Sequence, residues 1–151
     1  MKKPALLCLA MVLSACLTRP TPAPTSTAIA AVIITGEDNP YAPQPGDSNL
    51  RVGGVILTSI SLTERADLTP ARAELNLFGS LPSVCNELRV KITPPNSARE
   101  IFVQVYSLIN TKLKCDDVFQ QFEADIVLAL YSAGTYTVWV NQGRIGDFVV
   151  Y

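Results

Sequence analysis

The chain of 151 residues contains no histidine. That absence removes the Ser-His-Asp and Cys-His nucleophilic assemblies and takes away the commonest zinc ligand. A Ser-Lys pair is the residual nucleophilic option, yet Lys91, Lys112 and Lys114 fall on polar strand faces or in a loop. No glycine-rich phosphate loop precedes a helix, so the nucleotide-binding motifs are missing. Twelve Lys and Arg stand against thirteen Asp and Glu, with no positive stripe for nucleic acid. The apolar run Ala5 to Leu13 is about half the ~20 residues a membrane-spanning helix needs. Together these gaps exclude the common catalytic sets, and neither an enzymatic activity nor a cofactor is expected.

What is present begins at the N-terminus. Lys2 and Lys3 precede the short apolar run, and Leu13-Ser14-Ala15-Cys16 then places small residues just before a cysteine. A charged start, a short apolar segment and a small-residue cleavage site are the parts of an exported precursor. This segment resembles the lipobox of bacterial lipoproteins. The resemblance implies removal of residues 1–15 and a thioether-linked diacylglycerol on Cys16, which becomes the mature N-terminus. Two or three acyl chains anchor stably where one does not, at about 0.8 kcal/mol per buried methylene. The implied location is the bacterial cell envelope, on the extracytoplasmic side, with the membrane as a partner through the covalent lipid. Leu17 follows Cys16, so the acidic residue that holds some lipoproteins at an inner membrane is missing.

Cys8 would leave with the cleaved peptide, and acylation occupies Cys16. Cys85 and Cys115 then remain as an even pair in an oxidising compartment, where a disulfide persists. Neither belongs to a CxxC pair, which argues against a metal site. The bridge would close a loop of about thirty residues, worth roughly 3–4 kcal/mol by loop-closure entropy.

Residues 16–50 read as the acylated cysteine and a tether, rich in Pro and Thr as in Thr18-Arg19-Pro20-Thr21-Pro22. Such a stretch buries too little apolar area to offset its ordering and favours extended polyproline II. Ile29 to Thr35 interrupts it with an apolar run, which is either an added strand or a stray patch in the tether.

Residues 51–151 carry short segments rich in Val, Ile, Leu, Tyr and Phe. Seven strands are expected, near 54–62, 71–78, 86–93, 100–108, 121–128, 134–141 and 145–150. Ala73, Leu75 and Leu77 alternate with Arg72, Glu74 and Asn76, and Leu88, Val90 and Ile92 alternate with Arg89, Lys91 and Thr93. Period two means one buried and one wet face, as in an antiparallel sheet. Asn141-Gln142-Gly143-Arg144 reads as a tight hairpin, and Thr111 to Gln120 has room for one helical turn. Seven strands in about a hundred residues predict an all-β fold, an antiparallel β-sandwich. Tyr136 follows a glycine-containing bend, Ser132-Ala133-Gly134, at the start of the penultimate strand. This pattern resembles the tyrosine corner of immunoglobulin-like domains, where the hydroxyl caps backbone groups at the corner of the sandwich.

Two sets of residues invite a functional reading. Asp116, Asp117, Glu123 and Asp125 are acidic, but Glu123 and Asp125 alternate with Phe122, Ala124 and Ile126, which marks the solvent side of a strand. Their spacing fits neither a calcium loop nor a defined carboxylate pair. The second set is aromatic. Phe102 and Tyr106 alternate with Ile101, Val103 and Val105, while Trp139 alternates with Tyr136, Val138 and Val140. The resemblance to immunoglobulin-like domains implies that these two strands are neighbours, so Phe102, Tyr106 and Trp139 are expected on one outer sheet face. Either this face binds a protein or glycan ligand, or it lies under the final strand with Phe148 or under Ile29 to Ile34. The expected function is a lipid-anchored binding or envelope-structural module, with an immunoglobulin-like protease inhibitor as the alternative.

Overall fold

The computed structural model describes residues 33–34 and 39–151. The signal segment 1–15, Cys16 and the tether up to residue 32 lie outside the described residues.

Among the described residues, nine strands form two stacked sheets. They are β1 (Ile33–Ile34), β2 (Arg51–Gly53), β3 (Ile56–Arg65), β4 (Arg72–Leu81), β5 (Asn86–Ile92), β6 (Glu100–Ile109), β7 (Gln120–Val127), β8 (Gly134–Val140) and β9 (Gly143–Val150). The first sheet has the order β1-β7-β4-β3. In the second, β5 lines one edge of β6, β2 and β8 share its other edge, and β9 lies beyond β8. The seven long strands coincide with those expected from period-two patterning, and the chain folds as a β-sandwich.

The alternating residues meet between the sheets. Leu75, Leu77 and Ile126 face Val90, Ile101, Val103 and Val138 in one buried cluster. Tyr136 closes one corner, donating its hydroxyl to the Ser132 carbonyl at 2.8 Å while its ring packs on Tyr131 and Phe148. The expected tyrosine corner is thus formed. Gly134 is required beneath it: its φ is +146°, and a Cβ there would overlap the Arg99 guanidinium.

Not every pairing is antiparallel. β1 runs parallel to β7, and β6 runs parallel to β8. After β6 the chain crosses to the first sheet as β7, and it returns as β8 in the direction β6 had taken. The hairpin after β8 is the two-residue turn expected, with φ of 45° at Asn141 and 73° at Gln142. The Asn141 side chain then acts as one more rung of sheet. Its Nδ2 donates to the Val105 carbonyl and its Oδ1 accepts from the Val105 amide, both at 2.8 Å. This single amide fills the gap on β6 between the end of β8 and the end of β2.

In the chain before β2, one open alternative is resolved and one expectation needs correction. Ile33–Ile34 pairs with Asp125 and Ile126 at the edge of the first sheet, so part of the apolar run is an added strand. The tether, expected to reach residue 50, gives way by Asn39 to chain that packs on the domain. Val90 donates its amide to the Tyr41 carbonyl at 2.7 Å, and Asn39 donates its side chain to the Val90 carbonyl. Tyr41 packs against the core, where burial first and the Asp125 carboxylate second push its phenol pKa up. A 3-10 turn at Pro45–Asn49 follows and leads into β2 on the far side of β6. Residues 39–50 therefore form a strap that binds the free edge of β5 and then crosses the outer face of the second sheet to β2.

Arg89 shows why the strap is there. Sequence alternation puts it on a wet face, yet its residue is 6% exposed. Its guanidinium grips Asp47 through two hydrogen bonds of 2.9 Å and reaches Glu87 at 2.8 Å. A buried guanidinium needs such partners, because an unpaired charge in that position is strongly destabilising. Leu108, on the same outer side of β6, is 2% exposed and does not belong to the inter-sheet core. The Thr111 to Gln120 segment, expected to hold a helical turn, is irregular and is bound to the domain by the Cys85–Cys115 disulfide, with Cα atoms 5.9 Å apart.

Candidate functional site

The strap covers one end of the second sheet's outer face and leaves the other open. At the open end, Phe102 of β6 and Trp139 of β8 are direct neighbours in the parallel register. Their rings stack with centroids 6.2 Å apart and an interplanar angle of 18°. That separation is within the attractive range for aromatic pairs. Phe102 is 41% exposed, whereas Trp139 is half-buried. The indole Nε1 of Trp139 is buried and has no hydrogen-bond partner among the described residues.

A polar rim surrounds the pair. Gln104 follows Phe102 on the outer side of β6 and is exposed, and Thr137 precedes Trp139 on β8. Opposite Trp139, across a bulge in the β8–β9 register, stands Arg144. Arg144 donates to Asp147, 2.6 Å away, on the exposed side of β9. An apolar centre with a hydrogen-bonding rim is the arrangement of contact surfaces whose binding energy is concentrated in a few aromatic side chains.

Tyr106 does not join this pair. It lies four residues from Phe102 along β6, roughly 13 Å at strand rise. Its register partner is Arg89, which puts it at the strapped end. The structure thus brings together two of the three aromatic candidates. Among the described residues, neither Phe148 nor Ile33–Ile34 lies over them, and the rest of the Ile29 to Ile34 segment lies outside the described residues. Phe148 points inward and stacks on Tyr136, and Ile33–Ile34 pairs at the edge of the other sheet.

The acidic residues separate as well. Asp116 and Asp117 belong to the irregular loop near the disulfide, while Glu123 and Asp125 lie on the outer face of the first sheet. No group of three or more metal-ligating side chains occurs among the described residues.

Sequence reasoning passed over Phe78. It has the parity of Arg72, Glu74 and Asn76, which put it on the wet side of β4, and it is 42% exposed. An aromatic at the polar positions of an alternating strand was the available signal.

No curated protein and no solved structure matches the chain. Residues 75–150, from the middle of β4 to the end of β9, match the family described as the ORF11 beta-sandwich domain. That span is half of the chain and holds the whole second sheet apart from β2, and the protein belongs to the ORF11 beta-sandwich domain family.

Proposed function

We propose that the protein is a lipid-anchored, extracytoplasmic binding module that engages a protein partner through the open end of the second sheet. Acylation at Cys16 holds it to the bacterial envelope, and the Pro/Thr-rich segment sets the domain off the membrane. The observation that carries the binding role is the stacked Phe102–Trp139 pair, its Phe102 ring exposed and Trp139 half-buried, on a sheet face whose other end is strapped over. Trp at the centre of a polar-rimmed apolar patch is the side chain that most often dominates binding energy. Non-catalytic action fits a chain without histidine, in which the residues around the pair include no paired nucleophile and base.

A photo-crosslinking amino acid in place of Phe102, in the full-length protein in cells, tests the binding role. One discrete adduct is expected, absent when the probe replaces Thr111 in the loop and lost when Trp139→Ala is added. Equal adducts from both positions, or none from Phe102, would overturn the proposal. The anchor has its own test in radioactive fatty-acid labelling. Cys16→Ser should abolish the label, and undiminished labelling would contradict acylation at this residue.

A further inference from the structure

The outer face of the first sheet has a different chemistry. Alternation sends Ser59, Ser61, Thr63 and Arg65 of β3 outward, with Glu74, Asn76 and Phe78 of β4 and Glu123 and Asp125 of β7. Asn76 is the centre. Its Nδ2 donates to Asp125 Oδ1 at 2.8 Å, and its Oδ1 accepts from the Thr63 hydroxyl at 3.0 Å and from the Ser61 hydroxyl at 3.4 Å. These bonds fix the orientation of both the amide and the Asp125 carboxylate.

Phe78 stands at one end of this polar array. Glu123 is its register partner on β7, and Ser59 is its partner on β3. The β3–β4 register shifts between Leu57 and Ser59, so a bulge lies beside the Phe78 ring. Bulges re-aim side chains and are frequent next to binding sites. Ser59, Ser61, Asn76, Phe78, Glu123 and Asp125 line a depression of about 210 Å³.

We infer that this depression is a saccharide subsite, with the face of a neutral pyranose ring on Phe78 and its hydroxyls on Asp125, Glu123 and the β3 serines. An exposed aromatic ring offers the apolar platform that the C–H face of a sugar requires. The adjoining carboxylates accept from two hydroxyls, while the serine hydroxyls can donate or accept. The lining includes two acidic side chains and no basic one, so carboxylated or phosphorylated sugars are repelled. Because Asn76 is satisfied within the protein, a ligand does not have to replace a buried bond to enter.

The test uses the full-length protein in detergent micelles and isothermal titration with chitotetraose, cellotetraose and tetragalacturonate. Saturable binding of at least one neutral tetrasaccharide is expected, with none of the anionic one. Phe78→Ala should weaken binding about tenfold, in keeping with loss of one stacked ring, whereas Phe78→Tyr should preserve it. Asp125→Asn should weaken it by a similar factor, and an unchanged thermal midpoint distinguishes lost contact from lost fold. No saturable binding of either neutral sugar, or equal affinity in Phe78→Ala, would overturn the inference. Trp139, the single tryptophan, belongs to the other sheet and reports separately on the proposed protein contact. Sugar binding that shifts Trp139 emission and survives Phe78→Ala would assign the sugar to the wrong face and contradict this inference alone.

Discussion

The two outer faces of this sandwich are built from the same alternating strand pattern and end up unlike each other. On the first sheet, outward side chains meet one another: Asn76, Asp125, Thr63 and Ser61 form a network that Asn76 extends to Glu74, and through it to Arg65 and Asp67. On the second sheet, outward side chains are divided between a strap and the solvent. Arg89 is held by Asp47 of residues 39–50 and Leu108 is buried on the same side, while Phe102 and Trp139 lie at the other end. Outward-pointing thus means three different things here: solvated, mutually bonded, or roofed by chain from far away in sequence. The difference shows that a polar position in an alternating strand marks a direction and not an exposure.

The largest expected effect is at the roofed end. Leu108→Ala should cost about 2–5 kcal/mol in denaturant titration, the range for truncating a buried leucine. A loss below about 1 kcal/mol would mean that Leu108 is not part of the packed interior at that end. Reducing the Cys85–Cys115 bridge, or replacing both cysteines by serine, should cost roughly 2–5 kcal/mol by the same measurement. Two freely alkylated thiols in exported protein would contradict the bridge itself. Tyr136→Phe is expected to cost about 1–3 kcal/mol, because the Ser132 carbonyl loses its donor at the corner.

A smaller, pH-dependent effect separates the strap from the rest of the sandwich. The Arg89 side-chain hydrogen bonds, outweighing burial, hold the Asp47 carboxyl below its ordinary value, with the Gln44 amide and the Arg89 charge adding to the effect. A carboxylate with a depressed pKa in the folded state gives stability that is complete above the unfolded value near 4. That stability is lost as pH falls through the lower folded value. The protection of the Val90 amide against exchange, relative to its intrinsic rate at each pH, should therefore fall in acid before that of the core strands, because Val90 donates to Tyr41 in the strap. Simultaneous loss of protection at Val90 and at Val138 in the core would show that the strap does not open independently. The smallest expected stability change belongs to Phe78→Ala on the first sheet's outer face, about 1 kcal/mol or less, since the ring is 42% exposed.

Much of the fold was legible because strand patterning is local. Leu75 and Leu77 against Asn76, or Val138 and Val140 against Trp139, fix which side faces the core without reference to any other strand. The tyrosine corner was legible for the same reason, with donor and acceptor four residues apart. The strap was not, because Asp47 meets Arg89 across 42 residues and its own surroundings in sequence are those of a tether. The Asn141 clamp on Val105 is likewise set by two strands meeting 36 residues apart. Of the candidate site, the Phe102–Trp139 pairing followed from parity on two neighbouring strands. The displacement of Tyr106 from it required the register, which parity does not supply.

Trp139 serves a surface and Leu108 serves the fold, although both point away from the same core. Equilibrium unfolding of Trp139→Ala beside Leu108→Ala tests it most directly. The expected result is a loss of no more than about 2 kcal/mol for the half-exposed tryptophan site, with the larger loss at Leu108. A loss of ~3–5 kcal/mol for Trp139→Ala, the range of a buried aromatic truncation, would contradict the account by making Trp139 part of the fold's own interior.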